Sequence, residues 1–224
     1  MNLKRKRLLN KARLYVIISP DPKRTKSVFD IAAEALDGGA DIIQLRDKSS
    51  ARSDITRQAV ELKSICDSYE ALLAINDYPA VALEAGADIV HIGQDDMSVS
   101  LAKKIVGPEC LIGKSTHSID QALLAVREEA DYIGYGPIYS TPTKPDYPHV
   151  GLEKLKDICA QIRIPYFAIG GIDQHRLPEV MSEGVARVAV VRFVTDSRDV
   201  KKAASDLKFI LNQGILERAT NTVD

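Results

Sequence analysis

Short apolar runs alternate with amphipathic segments along almost the whole chain. The first run, residues 14–18, is rich in β-branched and aromatic side chains and ends at Ser19-Pro20-Asp21-Pro22, which predicts a buried strand. Residues 28–36 then show helical spacing and stop at Asp37-Gly38-Gly39. Because the strand-like runs lack polar alternation, they favour a parallel sheet covered by helices.

The alternation continues to residue 211 and gives eight pairs of strand and helix. The predicted strands are 14–18, 40–45, 72–75, 89–92, 110–113, 131–133, 166–169 and 187–191. The predicted helices are 28–36, 53–69, 78–85, 99–106, 119–129, 152–161, 176–183 and 200–211. Ser53 is the predicted N-cap of the second of these helices.

A short internal repeat supports this count. Gly39-Ala40-Asp41, Gly86-Ala87-Asp88 and Glu129-Ala130-Asp131 each stand between a helix end and a strand start, and Gly184-Val185-Ala186 has the same place later. Eight short right-handed units close naturally into a single α/β domain, a (β/α)8 TIM barrel. An open doubly wound sheet is the alternative, and the lack of GxGxxG after the first strand disfavours it.

Composition agrees with one soluble globular domain. With 224 residues, 45% hydrophobic and 27% charged, the chain can bury a sizeable core. We predict a barrel over residues 14–215, between a basic N-terminal extension, 1–13, and a C-terminal tail, 216–224. The basic segment is either a solvated extension or a short helix, with membrane-surface or RNA contact as a minor alternative.

Charge and cysteine content exclude several classes of partner. A net charge of −1 and the absence of Trp disfavour nucleic-acid binding, and no apolar run is long enough to span a membrane. Cys66, Cys110 and Cys159 are widely spaced and form no metal motif. They are typical of thiols in a reducing cytoplasm, where we expect this protein.

Polar side chains gather where the predicted strands end. Gln44, Arg46 and Lys48 alternate after the second strand, so the three can face one side. The other strand ends are followed by Asn76 and Asp77, by Gly93 to Asp96, by Lys114, Ser115, Thr116 and His117, by Thr141, Thr143 and Lys144, and by Gly170 and Gly171. In a barrel these ends meet at the catalytic face. Cations, two acid clusters, hydroxyls and glycine turns together predict a polyanion site with a hard cation.

Each of these features also has a structural interpretation when taken singly. Arg46 and Lys48 could be solvated charges, and Asn76 could be a turn former. The acids at 95 and 96 could cap the next helix, and the 134–144 loop could be an ordinary surface loop. His91 and His117 are more often packing residues than catalysts. It is the joint pattern at one end of the barrel that favours a site.

With these residues laid out, the chain resembles the thiamin phosphate synthase family from about residue 14 to residue 194. The matching blocks are Gln44-Leu45-Arg46-Asp47-Lys48, Ile75-Asn76-Asp77, His91-Ile92-Gly93-Gln94-Asp95-Asp96, Ser115-Thr116-His117, Gly136-Pro137-Ile138-Tyr139-Ser140-Thr141-Pro142-Thr143-Lys144, Ala168-Ile169-Gly170-Gly171-Ile172 and Val188-Ala189-Val190-Val191. The order and the positions at strand ends make the resemblance specific.

The resemblance implies an enzyme that couples hydroxymethylpyrimidine pyrophosphate to hydroxyethylthiazole phosphate, giving thiamin phosphate and pyrophosphate by a dissociative route. It implies that Asp77 and Asp96 bind Mg²⁺ and that pyrophosphate is contacted by Arg46, Lys48, Asn76 and Lys144. Ser115 would lie near the departing group. Gln44 would hold the pyrimidine, and Thr141 and Thr143 would hold the thiazole phosphate. In this scheme Lys48, Ser115 and Lys144 are the catalytic residues.

The phosphate end of the site departs from the family pattern. Gly170 and Gly171 after the seventh strand, and Val191 and Arg192 after the eighth, stand where many barrels bind phosphate through backbone N–H groups. A serine is usual in the family where Arg192 stands, and a small residue where Phe193 follows. Lys114 is also unusual before Ser115.

Two other functions compete with the synthase. A related thiazole tautomerase uses a histidine near the position of His117, but it would lack the magnesium acids and the Thr-x-Thr-Lys loop, which are present here. A non-catalytic sensor of phosphorylated ligands would keep the pocket, and only the basic N-terminus supports it. Because a sensor releases no pyrophosphate, turnover separates it from an enzyme.

Overall fold

Eight parallel strands form a closed barrel in which the spatial order follows the chain order and β1 pairs with β8. The computed structural model describes residues 3–141 and 148–220, the last six by their backbone alone. The strands are β1 Leu14–Ile18, β2 Ile42–Leu45, β3 Leu72–Asn76, β4 Ile89–Ile92, β5 Leu111–Thr116, β6 Tyr132–Tyr135, β7 Tyr166–Ile169 and β8 Val188–Val190. The predicted TIM barrel is confirmed, and the open sheet is excluded.

Helices cover the outside of the barrel and follow the strands in alternation. They are α1 Leu3–Lys11, α2 Val28–Asp37, α3 Arg52–Ser68, α4 Pro79–Glu84, α5 Val99–Val106, α6 Ile119–Arg127, α7 Leu155–Gln161, α8 Leu177–Ser182, α9 Arg192–Thr195 and α10 Val200–Thr220. A 3-10 turn, Leu152–Lys154, precedes α7. The boundary predicted at residue 215 falls inside α10. Within the described residues, no helix combines the length and apolar character needed to cross a bilayer.

Three local predictions differ from the structure. Ser53 does not cap α3, because the helix begins one residue earlier and its N-cap is Ala51, which makes no side-chain capping bond. β5 extends through Lys114, Ser115 and Thr116, which were placed in a loop. Lys114 can occupy a strand because its ammonium group donates to the Gly93 carbonyl at 2.7 Å, so its charge does not end unpaired in the helix layer. The short helix α9 was not predicted.

The Gly-Ala-Asp repeat has a structural purpose. The carboxylates of Asp41, Asp88 and Asp131 accept hydrogen bonds from the backbone N–H groups of Leu14, Leu73 and Ile112, at 2.9, 3.0 and 2.9 Å. In each case the aspartate before an even-numbered strand binds the first residues of the preceding strand. These bonds satisfy N–H groups at the amino end of the barrel that the ladder leaves open, and they fix the register of neighbouring strands.

Helix α1 closes the amino end of the barrel, so the first residues form the short helix of the two alternatives. Leu9 is 2% exposed and packs against the apolar interior cluster. Arg5 Nε lies 2.6 Å from an Asp88 oxygen, and Lys6 Nζ lies 3.1 Å from an Asp131 oxygen. The basic residues therefore neutralise the aspartates at the strand starts.

The Leu9→Ala variant tests this closure. Removing a buried leucine side chain should cost about 2–4 kcal/mol of unfolding free energy and lower the melting temperature by about 5–10 °C. Leu3→Ala is the matched control, because Leu3 lies on the same helix and is 76% exposed. Calorimetry that found equal melting temperatures for the two variants would contradict the packing of α1 on the barrel.

Candidate active site

A cavity of about 700 Å³ opens at the carboxyl end of the barrel, and every strand contributes to its wall. It contains each predicted site residue that the structure describes: Gln44, Arg46, Lys48, Asn76, Asp77, Asp96, Ser115, Thr141, Gly170, Gly171, Val191 and Arg192. Thr143 and Lys144 lie outside the described residues. The wall also contains Ile17 from β1, Ser19 just after β1, and Asp173 and Arg176 from the segment after β7, which sequence reasoning did not place in the site.

Two carboxylates face each other at the ends of β3 and β4. Asp77 has a backbone φ of +64°, held by a hydrogen bond from its N–H to the His91 carbonyl at 2.9 Å. Asp96 turns back so that its Oδ2 accepts from Gly93 N at 2.6 Å. Partial burial and the neighbouring Asp77 carboxylate raise the pKa of Asp96. This crowding of negative charge suits a hard cation.

The residues present fit a magnesium site of the kind that keeps open coordination positions. Lys48 Nζ already lies 2.8 Å from Asp77 Oδ2, so an ammonium group occupies part of the space that a metal ion would take. No group of three or more His, Cys, Asp or Glu side chains suited to a metal exists among the described residues. Mg²⁺ is usually held by one or two carboxylates together with water and substrate phosphates, which matches this pair.

A buried aspartate separates the two cationic residues that follow β2 in the sequence. Asp47 is 3% exposed and accepts hydrogen bonds from Ser49 N at 2.9 Å and Ser50 N at 3.0 Å. Burial opposes its ionisation, but the bonds from the two serines outweigh it and lower the pKa of Asp47. Because Asp47 is turned into the protein, Arg46 and Lys48 on either side line the cavity.

Polar groups also form the floor of the cavity. Gln44 and Asn76 are 2% and 8% exposed, although both side chains are polar. Ser115 Oγ lies 2.9 Å from His91 Nε2, and its backbone carbonyl accepts from Gln94 Nε2 at 2.5 Å. Buried polar groups are retained where they have partners, so the floor offers fixed hydrogen-bonding groups to a ligand.

The glycine turns after β7 are packed against the loop after β6. Gly170 has φ +104°, and a Cβ atom on it would lie 2.5 Å from the Cα of Pro137. Arg176 donates to the Gly171 carbonyl at 2.7 Å, and its guanidinium lies 4.6 Å from the centre of the Tyr139 ring. Asp173 in turn accepts from the Arg176 N–H at 2.9 Å. An Asp whose side chain accepts from the N–H groups two and three residues later is a recognisable turn motif, so this support could have been found in the sequence.

His117 lies in the same wall with its ring anchored to the backbone. Its Nδ1 makes a short hydrogen bond to the Gly136 carbonyl, and its own N–H donates to Gln121 Oε1 at 2.7 Å. The ring is therefore part of the support for the loop after β6. This agrees with the packing interpretation of His117.

A closed eight-stranded barrel with a cavity at its carboxyl end has the architecture of a TIM-barrel enzyme. The family model for thiamine monophosphate synthase matches residues 14–194. A thiamine-phosphate synthase of Mycolicibacterium smegmatis is 44% identical over 211 residues, which cover 89% of this chain and 92% of that protein. One from Shouchella clausii is 38% identical, covering 87% and 94%.

A solved structure is similar to this chain as well. The thiamine phosphate pyrophosphorylase from Pyrococcus furiosus has a TM-score of 0.85 and 37% sequence identity to this chain, and the match covers 92% of this chain and 98% of that one. The chain belongs to the thiamine monophosphate synthase family. The family resemblance predicted from the sequence is thus confirmed.

Proposed function

We propose that this protein is a thiamin phosphate synthase, a transferase that couples hydroxymethylpyrimidine pyrophosphate to hydroxyethylthiazole phosphate and releases pyrophosphate. Family membership supports the activity. The structural observation that supports the proposal is a cavity of about 700 Å³ to whose wall all eight strand ends contribute. Arg46, Lys48 and the two carboxylates line this cavity, with Lys48 Nζ 2.8 Å from Asp77 Oδ2, and the glycine turns form another part of its wall.

The pyrophosphate end of the cavity is assigned to the β2 and β3 loops. Arg46, Lys48 and Asn76 would bind pyrophosphate oxygens, with Lys144 joining them from the loop after β6. As the carbon–oxygen bond breaks, negative charge grows on the leaving group, and fixed donors that face it lower the barrier. The pyrimidine methylene cation left behind needs no protein nucleophile, only a thiazole nitrogen held in line.

Asp77 and Asp96 are the residues that would hold magnesium. A magnesium ion held there supplies positive charge that matches the charge on the departing pyrophosphate. Lys48, which pairs with Asp77 in this structure, would then be available to contact the substrate. The exchange of Lys48 between an acid and a pyrophosphate oxygen keeps its charge paired in both states.

The remaining site residues are assigned to the pyrimidine ring and to the thiazole phosphate. Gln44 would fix the pyrimidine, and Thr141 and Thr143 would hold the thiazole phosphate. Backbone N–H groups of Gly170, Gly171, Val191 and Arg192 would complete the phosphate site. The Arg192 side chain is exposed and lines the cavity, so it can add a positive charge to the same phosphate.

The three cysteines support a reducing compartment. All are free, and burial raises the pKa of Cys66 and of Cys110 to about 12, so these two thiols stay protonated at neutral pH. We therefore propose a cytoplasmic location. We also propose that the enzyme acts on small-molecule substrates and has no nucleic-acid or membrane partner. A homo-oligomer is compatible with this proposal.

The decisive experiment is an assay of pyrophosphate release by the full chain with both substrates and Mg²⁺. We expect release that requires both substrates and falls at least about 100-fold in excess EDTA, because the leaving group loses its divalent counter-charge. Adding Mg²⁺ back should restore the rate, and Mn²⁺ in its place would show the metal preference. Ligand binding without release would favour the sensor, and isomerisation of a thiazole carboxylate phosphate would favour the tautomerase.

A further inference from the structure

A chain of hydrogen bonds crosses the barrel interior beneath the cavity. It joins, in order, Gln44, Tyr15, Tyr132, His91 and Ser115. The distances are 2.6 Å from Gln44 Nε2 to Tyr15 Oη, 3.0 Å between the two tyrosine oxygens, 2.9 Å from Tyr132 Oη to His91 Nδ1, and 2.9 Å from His91 Nε2 to Ser115 Oγ. Only the two ends have roles in the proposed reaction. The three residues between them have none.

Packing holds this chain in one arrangement. Tyr15 and Tyr132 are 2% and 0% exposed, and both rings meet Phe167 edge to face at centroid distances of 5.3 and 5.6 Å. Gly113 leaves the space that the Tyr132 ring fills, since a Cβ atom there would lie 2.2 Å from the ring. The buried hydroxyl groups must find partners within the interior, and they find them in one another.

The chemistry of the first group sets a direction along the chain. The amide nitrogen of Gln44 can only donate, so the Tyr15 hydroxyl accepts from it. Because the buried Tyr15 hydroxyl needs a partner for its own hydrogen, it donates that hydrogen to the Tyr132 oxygen 3.0 Å away. Burial raises the pKa of both tyrosines well above the ordinary value, so both keep their hydrogens. Tyr132 can then donate to His91 Nδ1.

The same direction continues to the cavity. With Nδ1 accepting, the single proton of a neutral His91 ring resides on Nε2, which donates to Ser115 Oγ. Ser115 accepts this bond and therefore keeps its own hydrogen for a ligand. If the direction were reversed, Ser115 would donate its hydrogen to the histidine and present only lone pairs to the cavity.

We propose that Tyr15, Tyr132 and His91 are positioning residues that orient the Ser115 hydroxyl as a hydrogen-bond donor to the departing pyrophosphate. The inference rests on the proposed function, because only a leaving group that gains negative charge benefits from a donor fixed in advance. A serine hydroxyl alone can donate or accept with little preference. The histidine behind it removes that choice, and the two tyrosines fix the histidine tautomer from the pyrimidine end of the site.

The first test needs no substrate. Nitrogen-15 NMR of the full chain labelled at histidine should show His91 with a protonated Nε2 and a bare Nδ1, its signals being assigned by their loss in His91→Asn. Tyr132→Phe removes the donor to Nδ1 and should raise the fraction of the Nδ1-protonated tautomer. Tyr135→Phe is the matched control, because Tyr135 is equally buried but faces the helix layer on the same strand. Protonated Nδ1 in the wild type, or no change in Tyr132→Phe, would overturn the proposed orientation.

The second test measures catalysis. Tyr132→Phe should lower kcat about tenfold while the KM values for both substrates stay within about twofold, because the donor acts in the transition state. Tyr15→Phe, one step farther away, should lower kcat about threefold and serves as the second variant if Tyr132→Phe does not fold. Tyr135→Phe should match the wild type in kcat.

The two tests keep the orientation separate from the proposed function. A wild type with the expected tautomer but without pyrophosphate release would overturn the reaction and leave the hydrogen-bond direction standing. An active wild type whose Tyr132→Phe and Tyr15→Phe variants are folded and retain full kcat would overturn the positioning role. A loss confined to melting temperature, with kcat unchanged, would make the chain purely structural.

Discussion

Asp77→Asn and Asp96→Asn should each lower the rate of pyrophosphate release by about 100-fold or more, a barrier increase of about 3 kcal/mol. An amide keeps the size of the side chain but removes the negative charge that holds a divalent cation. The effect should appear in the metal dependence, with saturating Mg²⁺ recovering part of the rate in each single variant. The measurement is the initial rate of release as a function of Mg²⁺ concentration.

The folding of these variants supplies the internal control. The two carboxylates face each other, and partial burial together with this proximity raises the pKa of Asp96. Removing one of the two charges relieves the repulsion in the metal-free protein, so the melting temperature should be equal to or above that of the wild type. A fall in activity with no fall in stability separates a metal-binding role from a structural one.

Asp95→Asn is the matched comparison, because Asp95 is adjacent to Asp96 in the same loop and is assigned no ligand role. Its rate and its metal dependence should stay within a few-fold of the wild type. If Asp95→Asn were as damaging as Asp96→Asn, the loop as a whole would matter rather than the carboxylate pair. If Asp77→Asn kept full activity at limiting Mg²⁺, the proposal that Asp77 binds the metal would be wrong.

The sequence pattern was sufficient to predict the barrel, because each strand–helix unit has its own recognisable pattern. An apolar run, a break and an amphipathic segment repeat eight times, and parallel strands place all carboxyl ends at one face. The positions of Arg46, Asp77 and Asp96 relative to one another follow from that geometry alone. The described members of the predicted set all line one cavity, while Thr143 and Lys144 lie outside the described residues and the individual roles stay proposals.

Other features depended on contacts between distant parts of the chain. Helix α1 has no apolar face long enough to predict docking, and its position depends on Asp88 and Asp131, more than eighty residues away. Tyr15 and Tyr132 look like ordinary strand residues until the closed barrel brings their hydroxyl groups within 3.0 Å of each other. Local periodicity contains no information on which buried polar groups will meet across a barrel.

Gly170→Ala should be strongly damaging to both stability and the assigned phosphate site. The residue has φ +104°, a conformation that costs a residue with a side chain about 1–3 kcal/mol. The added Cβ would also lie 2.5 Å from both Cα and Cβ of Pro137 and 3.0 Å from Ile138 N, so the backbone after β6 must move. We expect a loss of roughly 3 kcal/mol and a fall in melting temperature of about 6–12 °C.

The displaced backbone carries the loop that contains Thr141, so the loss should extend to function. Since Tyr139 N donates to the Gly170 carbonyl at 3.1 Å, movement at Gly170 is passed directly to the segment assigned to the thiazole phosphate. The KM for that substrate should rise at least about tenfold, with a smaller change for the pyrimidine pyrophosphate. Steady-state kinetics with each substrate varied in turn measures the difference.

Gly107→Ala separates the two causes of the expected loss. Gly107 also has a left-handed backbone, φ +73°, but a Cβ atom there would meet nothing within 4 Å. That variant should lose about 1–2 kcal/mol, less than Gly170→Ala, and keep both KM values, because it has conformational strain without a collision. Equal losses in the two variants would mean that strain alone is responsible. A larger loss of unfolding free energy in Gly170→Ala, together with a rise in KM for the thiazole phosphate alone, would instead show that the glycine is required because two loops of one binding site are in contact at this residue.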